Sequence, residues 1–354
     1  MSRFFSTKYD KLTPYTPGEQ PKERKYIKLN TNESPFPPSQ KAIDLAKKET
    51  QILQLYSDPE CRDLVAKASE VLGVGKDEIL FTNGSDEILN FAFMAFCDKD
   101  HPAVFPDITY GFYSVFADLN NVPYETIPLK EDFTVNVEDY VGINKTVFLA
   151  NPNAPTGIAL PLSDIERIVK SNPDNIVVID EAYVDFGGES AVKLINKYDN
   201  LLITQTFSKS RSLAGGRLGF GIANKELIKD LNTIKYSTNP YNVNRMTMAA
   251  GVGTLMDEDY TKDNCAKIIK TRHWTNEKLK ELGFVTTDSK TNFIFAKHTN
   301  ANGKKIYETL KEKGVLVRHF ETDKLKDYNR ITVGSDEQMQ IFIDKLTETL
   351  EEIL

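Results

Sequence analysis

Asn175-Ile-Val-Val-Ile-Asp-Glu-Ala-Tyr183 is an unbroken apolar run that stops on a carboxylate. A strand buried on both faces reads this way, without the polar alternation of a half-exposed one. A polar residue at its carboxyl end stands where open α/β sheets receive their ligands. Outward from it, similar runs recur at Ile79–Thr82, Ala103–Phe105, Thr146–Ala150, Ile176–Ile179, Leu201–Thr206 and Leu218–Ile222. Helical patterns lie between several of them, at Glu87–Phe96, Gly111–Asp118 and Leu162–Ser171, so the spacing predicts a largely parallel sheet with helices on both faces. Too few residues separate Thr206 from Leu218 for a crossover helix, which predicts that the last two strands run antiparallel.

Towards the N-terminus the spacing predicts helices over Gln40–Gln51 and Arg62–Leu72. Residues 11–40, with Thr31-Asn-Glu-Ser-Pro-Phe-Pro-Pro38, read as an extended arm able to line a pocket or reach a neighbouring subunit. Towards the C-terminus a helical stretch from about 244 to 282 turns near Asp257. Strand patterns at Asn292–Ala296, Val315–Arg318 and Arg330–Val333 then alternate with helices at Gly303–Lys313 and Asp336–Leu354. The expectation is an α/β chain of two domains: an arm and small-domain segment over 1–40, a large domain over 41–250, and a smaller C-terminal α/β domain over 251–354.

Among 354 residues, 51 acidic and 44 basic side chains leave a formal charge of −7, which argues against a broad nucleic-acid footprint. A pocket for a small phosphorylated molecule needs only a few local cations. Cys61, Cys97 and Cys265 show no paired spacing, and His101, His273, His298 and His319 show no metal-ligand spacing. Disulfides and a metal site are therefore not expected, and a reducing cytoplasm is. Residues 1–15 hold no sustained apolar stretch, so neither a signal peptide nor a membrane anchor is expected.

The chemistry concentrates at strand ends. Thr206-Phe-Ser-Lys-Ser-Arg-Ser-Leu-Ala-Gly-Gly-Arg-Leu-Gly-Phe220 sets Lys209 just beyond an apolar strand, between hydroxyls and eight residues before Arg217. A lone lysine is ordinarily a solvated surface group. Here Ser208 and Arg217 suit a phosphate, and a sheltered lysine suits a Schiff base with an aldehyde. Asp180, otherwise a turn or cap residue, can hold a pyridine nitrogen protonated, and Tyr183 can donate to an adjacent ring oxygen. Thr82-Asn-Gly-Ser-Asp-Glu87 opens a helix after a strand. Beyond capping that helix, the backbone N–H groups around Gly84, Ser85 and Asp86 can receive a phosphate. No Gly-Lys-Ser/Thr ending marks a nucleotide P-loop. Asn151-Pro-Asn-Ala-Pro-Thr-Gly157 is a rigid turn able to aim an amide, and Asp107-Ile-Thr-Tyr110 can place an aromatic ring over a planar ligand.

In this order the segments resemble the fold-type I, pyridoxal-phosphate-dependent aminotransferases, and among them most closely the histidinol-phosphate aminotransferase family. The likeness runs from Leu12-Thr-Pro-Tyr15 and Leu29-Asn-Thr-Asn-Glu-Ser-Pro35 through Tyr56 to Val317-Arg318 and Arg330-Ile-Thr-Val-Gly334. It implies a cofactor Schiff base on Lys209, Asp180 on the pyridine nitrogen, Tyr183 and Asn153 on the ring oxygen, and Tyr110 over the ring. Gly84, Ser85, Asp86, Ser208 and Arg217 would surround the phosphate, and Tyr56 would arrive from the second subunit of a homodimer. Tyr15, Asn32, Arg318 and Arg330 would meet substrate. Ala154 stands where many relatives have a second Asn. The implied reaction exchanges an amino group between a phosphorylated amine, L-histidinol phosphate, and the 2-oxo acid 2-oxoglutarate. A phosphothreonine decarboxylase, an aromatic amino-acid aminotransferase and, remotely, a noncatalytic cofactor-sensing module are the competing expectations.

Overall fold

The computed structural model describes residues 2–10, 12–21 and 23–354. In chain order its regular elements begin with β1 (Ile27–Lys28), α1 (Gln40–Glu49), α2 (Arg62–Leu72), β2 (Ile79–Thr82), α3 (Ser85–Phe96), β3 (Ala103–Pro106) and α4 (Phe112–Asn120). They continue through β4 (Tyr124–Ile127), β5 (Thr146–Ala150), α5 (Leu162–Ser171), β6 (Val177–Asp180), β7 (Leu201–Thr206), β8 (Gly219–Ala223), α6 (Lys225–Thr238) and α7 (Arg245–Leu255). The remainder comprises α8 (Glu258–Glu281), β9 (Phe284–Thr286), β10 (Phe293–His298), α9 (Gly303–Glu312), β11 (Val315–Leu316), β12 (Arg318–His319), β13 (Tyr328–Thr332) and α10 (Asp336–Ile353).

The large sheet runs β2-β8-β7-β6-β5-β3-β4. The expected antiparallel pairing of the last two strands is present: β8 is antiparallel to both neighbours, and the other pairs are parallel. Alternation along the strands divides the core into two layers. Val177 and Ile179 point into one with Leu64 of α2, Ile165 of α5 and Leu255 of α7. Val178 points into the other with Leu89 of α3, Phe116 of α4 and Leu231 of α6. There Phe93 stacks on Phe148 with centroids 4.1 Å apart and planes 6° apart, and truncating either buried ring to Ala costs about 3–5 kcal/mol. On the other face α7 lies close on α1 because Gly253 has no side chain; a Cβ there would stand 2.6 Å from the Ala42 Cα.

The smaller sheet, β12-β13-β10-β9, is wholly antiparallel. The strand expected over Val315–Arg318 divides in two: β11 pairs in parallel with β1 of the arm, and β12 joins β13. The arm is thereby tied down, with Leu29, Asn30 and Asn32 buried. The small core gathers Phe293, Ile331, Phe342 and Leu346 with Leu29 of the arm, and also takes in Tyr183 and Ala154 from the large sheet's edge. Serine caps close the frame: Ser335 and Gln338 form a capping box at the start of α10.

Candidate active site

Parallel strands deliver their carboxyl ends to one edge, so the segments after β2, β5, β6 and β7 converge there. Because β8 runs the other way, its beginning, just after Arg217, lies at the same edge. Between these ends is a cavity of about 490 Å³ lined by Ser85, Asp86, Tyr110, Asp180, Tyr183, Ser208, Lys209 and Arg217. A second, of about 550 Å³, adjoins it and is lined by Tyr15, Asn32, Arg318 and Arg330; the two share Thr31, Tyr110, Ala154, Tyr183 and Lys209.

Asp180 is 4 % exposed. Its carboxylate accepts hydrogen bonds from Tyr113 (3.1 Å), Thr204 (3.2 Å) and the Ala182 N–H (3.3 Å). No cation pairs with it among the described residues, and burial pushes its pKa up to about 6. The neighbouring Glu181 faces the other way, onto Ser190, Ala191 and Gln205, and burial lifts it to about 7.

At the other end of the cavity Ser85 begins α3, whose free N–H groups and positive dipole end suit an anion. Gly219 allows this approach: a Cβ on it would fall 2.4 Å from the Ser85 nitrogen. Gly84 adopts φ 77°, and a side chain there would strike the Arg217 guanidinium. Arg217 itself is held at φ 53° and pairs with Asp86 at 3.1 Å, and Asp86 also accepts from the Tyr110 hydroxyl at 2.6 Å. Burial, with Asp86 adding to it, holds the Tyr110 phenol well above its ordinary range. Ser208 is buried, its oxygen 3.0 Å from that of Thr206.

Lys209 reaches across the edge to the arm, donating from Nζ to the Thr31 carbonyl at 3.2 Å, and Nζ lies 5.9 Å from the Tyr183 ring centre. The Tyr183 hydroxyl accepts from Asn32 Nδ2 at 2.9 Å. In the second cavity Arg330 donates to the Asn30 carbonyl at 3.1 Å and stands over the Phe293 ring, while its Nε is buried with no partner. Burial lowers its pKa. Tyr15 stacks on Phe112 at 4.2 Å, and Arg318 lies over Phe320.

Asn153 and Tyr56 line neither cavity. Asn153 does not face the cavity: Nδ2 donates to the Ile108 carbonyl and to Thr156 at 3.0 Å each, and Oδ1 accepts from Thr109 at 2.8 Å. Its amide is thus engaged by the turn and the 108–109 loop, and of the two adjacent residues Ala154 is the one that lines both cavities. Tyr56 lies outside both cavities, 80 % exposed and stacked on Tyr241 at 4.6 Å. Sequence reasoning misses Tyr113, Thr204 and Thr31. Tyr113 is legible as the residue one helical turn beyond Tyr110, and Thr204 as the polar member of a strand aligned with Asp180.

A family profile described as aminotransferase class I and II matches residues 24–346. The chain belongs to the class I and II aminotransferases. Among aminotransferase relatives, the histidinol-phosphate aminotransferase of Brachyspira hyodysenteriae is 51 % identical over 350 residues, 98 % of each chain. That of Clostridium acetobutylicum is 46 % identical over 99 % of this chain and 100 % of its own. The histidinol-phosphate aminotransferase of Sinorhizobium meliloti, solved in complex with pyridoxal-5'-phosphate, shares the fold with a TM-score of 0.86 at 24 % identity, covering 93 % of this chain and 92 % of its own.

Proposed function

We propose that this aminotransferase uses pyridoxal 5'-phosphate to move the amino group of L-histidinol phosphate to 2-oxoglutarate, giving imidazole-acetol phosphate and glutamate in histidine biosynthesis. The full-length identity to histidinol-phosphate aminotransferases supports the substrate. The observation that carries the cofactor is Asp180, a buried carboxylate with no cation paired to it among the described residues, in one cavity with Lys209. Buried charges require partners, and a protonated ring nitrogen is such a partner. The opposite end fits a phosphate: the α3 N-terminus at Ser85 and Asp86, the Ser208 hydroxyl and Arg217 together form a donor set for a dianion.

In this reading Asp180 holds the ring nitrogen, Tyr183 the ring oxygen, and Tyr110 covers the ring. Gly84, Ser85, Asp86, Ser208 and Arg217 hold the phosphate. When bound, the cofactor supplies an aldehyde that captures amines and a ring that draws electron density from the substrate α-carbon. Lys209 Nζ, freed once the substrate amine takes its place, would accept the α-carbon proton as general base and, as general acid, deliver it to the carbon that had carried the cofactor's aldehyde. Arg318 and Tyr15 meet the substrate phosphate, and the free Nε of Arg330 meets the carboxylate of glutamate or 2-oxoglutarate. The arm, through Thr31, keeps Lys209 Nζ at the junction of the two cavities.

We extend this reading to a cytoplasmic homodimer with shared active sites and to the domain division at 40 and 250. In its support, Tyr56 and Tyr241 stand exposed, as do Leu53 and Leu55, and none of the four lines either cavity of its own chain. Mixing Lys209→Ala and Tyr56→Ala chains, each inactive alone, is expected to restore part of the activity.

The test is to add L-histidinol phosphate alone to the cofactor-loaded protein and follow the visible absorbance, then add 2-oxoglutarate. Loss of the absorbance followed by recovery is expected. An unchanged spectrum would reject histidinol phosphate as donor, and release of CO₂ from phosphothreonine would establish the decarboxylase instead.

A further inference from the structure

Asn32 sits at the centre of a closed hydrogen-bond circuit joining the arm, β13 and the end of β6. Its backbone is in the left-handed region, φ 58°, where Asn is among the few tolerated side chains. Its N–H donates to Thr332 Oγ1 at 2.9 Å, its carbonyl accepts from Asn292 Nδ2 at 2.9 Å, and it is 1 % exposed. The circuit fixes which way the amide points. Thr332 Oγ1 accepts from the Asn32 N–H and uses its own proton on Asn32 Oδ1 at 3.0 Å, which leaves Nδ2 to face the Tyr183 hydroxyl at 2.9 Å.

A phenol has one proton to give. With Nδ2 occupying its acceptor side, the Tyr183 proton has no acceptor among the described residues. The hydroxyl therefore offers its proton to the junction of the two cavities that Tyr183 lines. Among the described residues, the charged groups around Tyr183 include the cations Lys209, 5.9 Å from its ring centre, and Arg330, neither an acceptor, and in the same cavity Asp180 and Glu33, whose carboxylates accept from other donors. The amide that the 151–157 turn was expected to supply is absent from the same side, because Asn153 is engaged elsewhere and Ala154 lines the cavity.

We propose that Asn32 is a positioning residue for the cofactor: its carboxamide fills the acceptor side of the Tyr183 hydroxyl and so aims the phenol proton at the cofactor's ring oxygen. The proposal rests on the pyridoxal-phosphate reading above. It recasts Asn32, expected to contact substrate, as a group that acts through Tyr183. Donation to the ring oxygen drains negative charge that would otherwise hold the proton shared with Lys209 Nζ. Loss of that donation makes the shared proton harder to remove.

The experiment is a pH titration of the visible absorbance of the cofactor-loaded protein, without substrate, for the wild type, Asn32→Asp, Tyr183→Phe and the double variant. Asn32→Asp keeps the size of the side chain, its tolerance of the left-handed backbone and its bond from Thr332, but replaces the donor with an acceptor that captures the Tyr183 proton. Asn32→Asp and Tyr183→Phe are each expected to raise the midpoint by about one pH unit, the worth of one hydrogen bond. The double variant is expected to move it no further than Tyr183→Phe. A wild-type midpoint in Asn32→Asp overturns the proposal, as does a shift that persists in full on the Tyr183→Phe background, which would be a plain charge effect. Should Asn32→Asp not fold, Thr332→Val probes the same circuit: a smaller upward shift supports it, and none overturns it. Failure of the underlying reading looks different, since the wild type would then show no visible band and no cofactor attached to Lys209.

Discussion

The Asp180 end of the first cavity and the second cavity, which meet at Lys209, are built on opposite electrostatic plans. The ring end of the first holds a buried carboxylate, Asp180, which accepts from hydroxyl donors and has no cation paired to it among the described residues. The second holds Arg318 and Arg330, neither in an ion pair among the described residues, with the Arg330 Nε buried and unpartnered. An unpaired buried charge is costly unless a ligand completes it. Each region is thus complementary to a charge its ligand brings, positive at the ring end and negative at the substrate end. Lys209, at the boundary, serves both.

The largest expected effect comes from removing that boundary. Lys209→Ala should lose covalent cofactor attachment, read by mass spectrometry after borohydride treatment, and lower turnover by at least about 10³-fold. Arg330→Ala removes one half of the contrast: KM for 2-oxoglutarate should rise by about 10²-fold, as for the loss of one partner of a buried charge pair, with a smaller change in kcat. An equal fall in kcat at unchanged KM would contradict its role in binding.

The Asp180 half can be sharpened through pH. Its folded-state pKa of about 6 lies above the ordinary 3.8, so the native cofactor-free protein binds more protons than the unfolded chain between these values. Stability is then fully present below about pH 4 and is lost as pH rises through about 6, by about 3 kcal/mol from this one group. Glu181, lifted from 4.5 to about 7, acts in the same direction. The melting temperature of the cofactor-free protein should carry this downward term with rising pH, and Asp180→Asn should flatten it; identical pH profiles for the two would count against the assignment. The smallest effect is expected at the phosphate end, where Arg217 is half-exposed and paired with Asp86. Arg217→Ala should weaken cofactor affinity by about tenfold, measured by equilibrium dialysis, and leave the bound cofactor's turnover nearly intact.

What is legible in the sequence follows from how local each signal is. The buried strands announce themselves as apolar runs, and the reversal of β8 follows from the short link before it. The edge strand β4 does not, because Tyr124, Glu125 and Thr126 are exposed and carry no run. Helix α6 gives a weak signal although Ile228 and Leu231 mark its buried side, since charged residues fill the rest. Motifs at strand ends locate Lys209, Asp180 and Ser85 because parallel strands place their ends together. That Ala154 and not the adjacent Asn153 lines the cavity depends on the backbone of a proline-rich turn, which spacing does not encode. The bond between Asn32 and Tyr183 spans 151 positions, and no local pattern carries it.

The most direct measurement is the nitrogen-15 chemical shift of ring-labelled pyridoxal phosphate bound to the wild type and to Asp180→Asn. The buried carboxylate, paired with no cation among the described residues, predicts a protonated ring nitrogen in the wild type at neutral pH and an unprotonated one in the variant. An unprotonated nitrogen in the wild type would contradict the account.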